Sequence, residues 1–342
     1  MKLVEHIFSN KKVGYYFNAS FIQLEQLTAK QNAVLITDEN VFAAHAEKFE
    51  GWKTIIINAG EEHKQQSTVD NIIRQLIALE ADRDTTIIGV GGGVVTDITG
   101  YVAGVYLRGV KVGFIPTTVL SMVDAAIGGK NGVDVGLYKN LVGLIRQPEF
   151  LLFDYALLNT LPQAEWINGF AEIIKHAVIK DEGLFQLLEN NSLSTFQNNA
   201  VLLAELIEKN VAIKTAVVVN DELETGERKL LNFGHTFGHA IENLYKVPHG
   251  HAVSIGMVMA AKISEEMNNF YSDQKDRLLK IIEQYQLPAT IKYDKEKVFS
   301  LLKMDKKRAS SVINFILLNK IGEAVIRPIP LVQLEDMLNQ NL

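Results

Sequence analysis

No cysteine occurs in the 342 residues of this chain. Its absence excludes disulfides, thiolate metal sites, iron–sulfur clusters and a cysteine nucleophile. Any metal is left to His, Asp and Glu. Long hydrophobic runs are missing too. The longest stretches without a formal charge span 15 residues, 190–204 and 247–261, short of the ~20 apolar residues a membrane helix needs. Nor is there an excess of positive charge: 34 basic residues stand against 40 acidic ones, a net −6. That balance argues against general nucleic-acid binding and leaves room for a small anion held by a few placed cations. The opening MKLVEHIFSN carries Glu5 where a signal peptide would have its apolar core. A cytoplasmic protein is expected.

What is present is a globular mixture, 47% hydrophobic and 22% charged, with enough apolar surface to offset chain entropy. The length suits two domains. In the first half, β-branched runs alternate with helical patterns. The segments 33–37, 54–57, 85–90, 112–115 and 150–153 read as strands, and 69–79 reads as a helix with Ile72, Ile73, Leu76 and Leu79 on one stripe. This alternation predicts an α/β fold whose parallel sheet is covered by helices. From Pro162 onward the patterns are mainly helical, over 164–179, 200–219, 232–245, 253–267 and 274–285. A late strand pair, 310–318 and 324–326, flanks Gly322. The boundary is expected near Leu158 to Pro162. It would separate an α/β domain with a Rossmann-like parallel sheet, 1–160, from a mainly α-helical domain, 161–342.

Three features carry chemistry. Gly91-Gly92-Gly93 follows a strand and opens a helix, where a close backbone and free N–H donors suit a phosphate. The spacing departs from G-x-G-x-x-G, with Thr96 in place of the third glycine, and from the P-loop. A tight turn needing positive φ is the plain alternative. A weaker loop candidate, 58–64, also follows a strand. Second, four of the eight histidines, His235, His239, His249 and His251, fall within 17 residues, where an even spread would put about 0.4. His235 and His239 share a helix face at i, i+4, a metal-pair geometry to which His249 or His251 could add a third ligand. Glu172, flanked by Ile173 and Ile174, is the best acidic ligand, because a carboxylate in such company is costly unless paired or metal-bound. A salt bridge to Lys175 or a contact with His176 is its ordinary explanation. Third, 124–140 is rich in Gly, Lys and Asn with little apolar periodicity and reads as a binding loop, in which Lys130 and Lys139 could hold a phosphate or carboxylate. Arg108, Lys175, Lys214 and Arg228 lie near these segments.

The motifs Gly91-Gly-Gly-Val-Val-Thr-Asp97, Pro116-Thr-Thr118, Asp124 with Gly128-Gly-Lys130, Lys139-Asn140, Ala171-Glu-Ile-Ile-Lys175, Asn232-Phe-Gly-His235-Thr-Phe-Gly-His239 and His249-Gly250 occur in one order. In that order the chain resembles the 3-dehydroquinate synthase family of sugar-phosphate cyclases, over roughly residues 38–322. The resemblance implies an N-terminal α/β domain, a C-terminal helical domain and a site in the cleft between them. It implies NAD and a divalent metal, zinc or cobalt, as cofactors, a small anionic sugar phosphate as substrate, and a homodimer. It makes Glu172, His235 and His249 the metal ligands and moves His239 to the substrate. It places Asp124, Lys130, Asn140, Lys175, Lys214, Arg228 and Asn232 around the substrate, with Arg108 at its phosphate. Asp38, Glu61, Lys64, Gly92, Gly93, Asp97, Thr117, Thr118 and Thr160 would line NAD, with Lys130, Lys139 and Asn140 nearby. Lys306 or Lys307 would add a cation.

Three positions depart from the family pattern: Asn131 in place of threonine, Tyr138 in place of glycine, and His251 in place of glutamate, which makes His251 a rival ligand. A cyclitol-forming sister cyclase, a metal-dependent polyol dehydrogenase and a catalytically dead NAD-binding regulator are the competing readings. The set Arg228, Asn232 and His239 favours the dehydroquinate activity over the first. The segment from Lys130 to Asn140 argues against the second, and the intact metal and cation set against the third.

Overall fold

The computed structural model describes residues 1–9, 11–136, 138–268, 270–304 and 312–339. The chain forms two compact units, Met1–Glu165 with Lys214–Leu223, and Trp166–Ile213 with Glu224–Leu342. The sequence boundary near 158–162 thus misses one feature: the segment Lys214–Leu223 returns to the first unit.

The first unit contains β1 (Lys2–Phe8), β2 (Lys11–Phe17), β3 (Ala33–Asp38), α1 (Glu39–Ala44), β4 (Lys53–Ile57), α2 (Gln66–Ala78), β5 (Thr86–Gly91), α3 (Gly93–Val105), β6 (Lys111–Pro116), β7 (Lys130–Val135), β8 (Tyr138–Ile145) and β9 (Phe150–Leu152). Seven strands make one sheet in the order β1-β2-β9-β6-β5-β3-β4. All pairings are parallel except that of β1 with β2. Four of the five predicted strands, β9, β6, β5 and β3, lie inside it, and β4 is an edge. The inner strands are buried because helices cover both faces of a parallel sheet: Leu35, Ile88, Val90, Ile115 and Leu152 join Phe21, Phe49 and Trp52 in one core, whereas Ile56 of β4 is exposed. β3 leads by α1 to β4 on one side, whereas β5 leads by α3 to β6 on the other. The direction of winding therefore switches between β3 and β5, the place where open α/β sheets form a ligand crevice at their strand ends.

The stretch 124–140 is not a loop. Ser121–Ala125 forms a π-helical turn, and β7 pairs with β8 as an antiparallel hairpin. The glycines that suggested a loop are what let these strands approach. A Cβ on Gly132 would lie 2.6 Å from the Val142 carbonyl oxygen, and one on Gly143 would lie 2.3 Å from that of Asn131. Asn131 is buried, donates to the carbonyls of Gly129 (2.6 Å) and Arg146 (3.1 Å), and packs where Gly100 leaves space. Its departure from threonine is thus a structural matter.

The second unit is built on α4 (Gln163–Lys180), α5 (Glu182–Glu189), α6 (Leu193–Asn198), the part of α7 (Ala200–Asn220) before Lys214, α8 (His235–Tyr245), α9 (His249–Met267), α10 (Ser272–Gln284) and α11 (Lys295–Met304), followed by the hairpin β10 (Val312–Lys320) and β11 (Glu323–Pro330) and by α12 (Leu331–Asn339). The hairpin turns at Gly322, whose φ is +85°. Ser310, the expected start of its first strand, lies outside the described residues, as do Lys306 and Lys307. Phe237, Ile241, Ile255, Met259, Leu302, Phe315, Leu317 and Leu334 make its core. α8 and α9 meet backbone to backbone. A Cβ on Gly256 would sit 1.8 Å from the Gly234 carbonyl oxygen, and one on Gly238 would sit 2.9 Å from that of Ala252. Among the described residues, no helix is long and apolar enough to cross a membrane.

Candidate functional site

In the first unit, Gly91 ends β5 and Gly92 caps α3. None of the three turn glycines has positive φ, so a strained turn does not explain them. Close approach does: a Cβ on Gly92 would stand 3.2 Å from the Thr118 methyl, and one on Gly93 would stand 3.2 Å from Ala125 Cβ. The first turn of α3 therefore presents bare backbone N–H groups with the positive end of the helix dipole behind them. Thr117, whose N–H donates to the Gly91 carbonyl at 3.0 Å, and Thr118 follow β6 beside this turn. Asp38 ends β3 across the switch point, and its Oδ1 accepts from the N–H groups of Asn40 and Val41 at 3.0 and 2.9 Å. This bonding leaves Oδ2 outside the cap.

Beside the turn lies a charged network. Buried Lys64 donates to Asp97 Oδ2 (2.5 Å) and to Asn140 Oδ1 (2.6 Å). Burial pushes the Asp97 carboxyl up, against the pull of the Lys64 ammonium. Burial works against the Lys64 charge, but Asp97, Glu61 and Asp134 outweigh it and raise its pKa. Lys139 pairs with Glu61 at 3.4 Å. Asp134 accepts the Asn140 N–H at 2.7 Å, holding that residue at φ +52°. Lys214 of α7 pairs with the Asp124 carboxylate at 2.8 Å and also donates to its carbonyl. Lys130, at the start of β7, is exposed, as is Tyr138. Two predicted residues lie on other segments. The hydroxyl of Thr160 shares a 2.8 Å hydrogen bond with His45 Nε2. Arg108 lies beyond the C-terminal end of the 13-residue α3, about 20 Å along the helix from the glycine turn. It is exposed, with Leu107 and Arg108 both at positive φ.

The second unit builds a candidate metal centre. Glu172, in the middle of α4, is fully buried, and its Oε2 contacts the buried Lys175 ammonium one turn on. Its other oxygen faces two imidazoles, His235 Nε2 at 3.6 Å and His249 Nε2 at 3.5 Å. The salt bridge and the histidine cluster, rivals in the sequence, therefore use different oxygens of one carboxylate. Ligand atoms of Glu172, His235 and His249 all lie within 4.8 Å of one another. Each ring is held from behind. His235 Nδ1 lies 3.1 Å from the Phe233 carbonyl, and His249 Nδ1 lies 3.2 Å from Glu242 Oε2. Outer contacts of this kind set the tautomer that leaves Nε2 free to ligate. Burial, then the Lys175 ammonium, keeps His235 well below the usual imidazole range. Burial also opposes the charge on His249, but the Glu172 and Glu242 carboxylates prevail and push it up to about 9. One carboxylate and two imidazoles at this spacing fit a divalent ion with positions left open for substrate oxygens.

His239 packs its ring edge-on against His235, centroids 5.1 Å apart, but among the described residues it joins no such ligand group, and neither does His251. Arg228 is buried in the short helix Glu227–Asn232, at whose end Asn232 donates to Glu224 Oε1 at 2.7 Å. Sequence reasoning missed Asn168, Glu224 and Glu242. Asn168 precedes Glu172 by one helical turn, and its Oδ1 accepts the Gly250 N–H at 2.5 Å, tying the start of α9 to α4. Glu242 falls seven residues after His235 and so shares its helix face.

Two family models match the chain: the 3-dehydroquinate synthase N-terminal model over residues 54–168 and the C-terminal model over 169–308. The chain belongs to the 3-dehydroquinate synthase family. A 3-dehydroquinate synthase of Pyrococcus abyssi is 40% identical over 291 residues, 84% of each chain. Among solved structures, 2-epi-5-epi-valiolone synthase from Streptomyces hygroscopicus subsp. jinggangensis 5008, with NAD+ and Zn2+ bound, superposes with a TM-score of 0.87 at 25% identity, covering 99% of this chain and 98% of the other. A 2-deoxy-scyllo-inosose synthase complexed with carbaglucose-6-phosphate, NAD+ and Co2+ gives 0.86 at 26% identity, with all of both chains covered.

Proposed function

We propose that the chain is a 3-dehydroquinate synthase, a phosphate-eliminating carbon–oxygen lyase. It converts 3-deoxy-D-arabino-heptulosonate 7-phosphate to 3-dehydroquinate and phosphate by transient oxidation, elimination, reduction and aldol cyclisation, with no net redox change. The observation that carries this reading is the convergence of Glu172, His235 and His249 in a member of this family. NAD would supply a reversible hydride acceptor, and a zinc or cobalt ion a Lewis acid for the substrate hydroxyls.

The chain's own residues do the rest. The α3 turn would hold the dinucleotide phosphates, and Asp38, Lys64 and Asp97 would line the dinucleotide with Asn140 nearby. Lys130, Lys175, Lys214, Arg228 and Asn232 hold the substrate's carboxylate, hydroxyls and phosphate, which orients the reacting carbons. His239, near the ligand group and outside it, is placed to move a proton. The test is phosphate release from 3-deoxy-D-arabino-heptulosonate 7-phosphate with catalytic NAD. Chelation is expected to abolish release, and added Zn2+ or Co2+ to restore it, coupled one-to-one to 3-dehydroquinate and without net NADH. Release only from sedoheptulose 7-phosphate or glucose 6-phosphate would instead identify a sister cyclase.

The same reading makes the chain a homodimer. Tyr138, Leu141, Val142 and Ile145 of β8 are exposed apolar side chains, which a second copy would cover. Sedimentation at micromolar concentration is expected to give twice the 38.1 kDa chain mass; the single-chain mass would refute it.

A further inference from the structure

The two candidate metal-binding histidines are supported differently. His235 leans on a backbone carbonyl, that of Phe233, which no side-chain change can remove. His249 leans on a side chain. It is the first residue of α9, its side chain is 29% exposed, and burial alone does not lock its ring. The α8–α9 connection brings Glu242 to it. Lys246 closes α8 in the left-handed region (φ +53°), its N–H donating to the Glu242 carbonyl at 3.0 Å, and Pro248 caps α9. Glu242 itself is buried, so its carboxylate is not free to swing away.

We propose that Glu242 is a positioning residue. It holds the Nδ1–H of His249, fixes the ring so that Nε2 faces Glu172, and thereby sets how tightly the trio keeps a divalent ion. The inference rests on the metal reading above. A flipped ring would present a C–H to the ion and the other tautomer a protonated nitrogen, and a carboxylate partner also makes the ligating nitrogen more basic.

The test compares wild type, Glu242→Gln and Glu242→Ala, each stripped of metal. Zn2+ affinity is read by competition with a chromophoric chelator, the ligand field from the visible spectrum of the Co2+ form, and folding from metal-free thermal melts. Glu242→Ala is expected to weaken Zn2+ binding by about 10- to 100-fold and to change the Co2+ bands. Glu242→Gln, whose amide oxygen still accepts from Nδ1–H, is expected to lose less and to restore the bands toward wild type. A merely structural role would lower the melting temperature and leave the affinity and spectrum of the folded variants unchanged, and that result overturns the proposal. If Glu242→Ala does not fold, Glu242→Gln decides: a severalfold loss supports the proposal and wild-type affinity overturns it. A wild-type chain that binds neither ion would overturn the metal reading itself, a result distinct from equal binding by all three proteins.

Discussion

Glu172→Gln is expected to lower phosphate release by about 1,000-fold, because a neutral amide removes the only anionic ligand of the trio and a Lewis-acid contribution of several kcal/mol goes with it. Zn2+ affinity should fall in parallel, and extra Zn2+ should restore little of the rate. The same change acts on stability. The Lys175 ammonium is buried against Glu172, and stripping a buried charge of its partner costs up to about 3–5 kcal/mol. The retained amide oxygen keeps the loss below that ceiling. Denaturant unfolding of the metal-free protein measures the second effect separately from the first. A fully active Glu172→Gln enzyme with undiminished Zn2+ binding would remove Glu172 from the centre.

Gly256→Ala should be among the most damaging single-methyl changes in the second unit. The added Cβ would meet the Gly234 carbonyl oxygen at 1.8 Å. That atom is backbone and cannot rotate aside, so α8 and α9 must separate. Overpacking of this kind costs about 3 kcal/mol or more, a fall of roughly 4 °C or more in melting temperature for 342 residues. The consequence reaches the proposed metal centre, since His235 directly follows Gly234 and His249 opens α9. Zn2+ affinity should therefore fall even in the fraction that folds. An unchanged melting temperature would show that the two helices do not pack as closely as described.

The central sheet was legible because its chemistry is one-dimensional. Strands covered on both faces read as uncharged runs rich in Val, Ile and Thr, and 33–37, 85–90 and 112–115 do so. The β7–β8 hairpin was not, because its glycines serve cross-strand contacts with Val142 and Asn131 that exist only once the strands pair. In the N-terminal hairpin, β1 alternates exposed with half-buried positions and β2 half-buried with buried ones, a period-two signal that the charges at Lys2, Glu5, Lys11 and Lys12 mask. The candidate site divides in the same way. Histidine density pointed to α8 and α9, which carry His235 and His249 to Glu172, and the apolar neighbours of Glu172 pointed to its burial. Spacing alone could not choose among His239, His249 and His251. That choice depends on the turn between Tyr245 and His249 and on the tie from Asn168 to Gly250. Glu242 carried a signal, seven residues from His235 on a helix, which acquires meaning only when a ring is found behind it.

The return of Lys214–Leu223 to the first unit limits how this chain can be taken apart. A single cut after residue 165 yields no complete sheet unit: it strips the Lys214 ammonium from Asp124 and the Glu222 carboxylate from Ser9 and Gln147, which it binds at 2.5–3.1 Å and 2.8 Å. Swapping halves between relatives at the join of the two family models, 168 and 169, would pair one parent's Asp124 with the other's Lys214. Chimaeras at that seam inherit a mixed interaction set inside a single unit. A viable exchange has to carry 214–223 along with 1–165, as two pieces of one module.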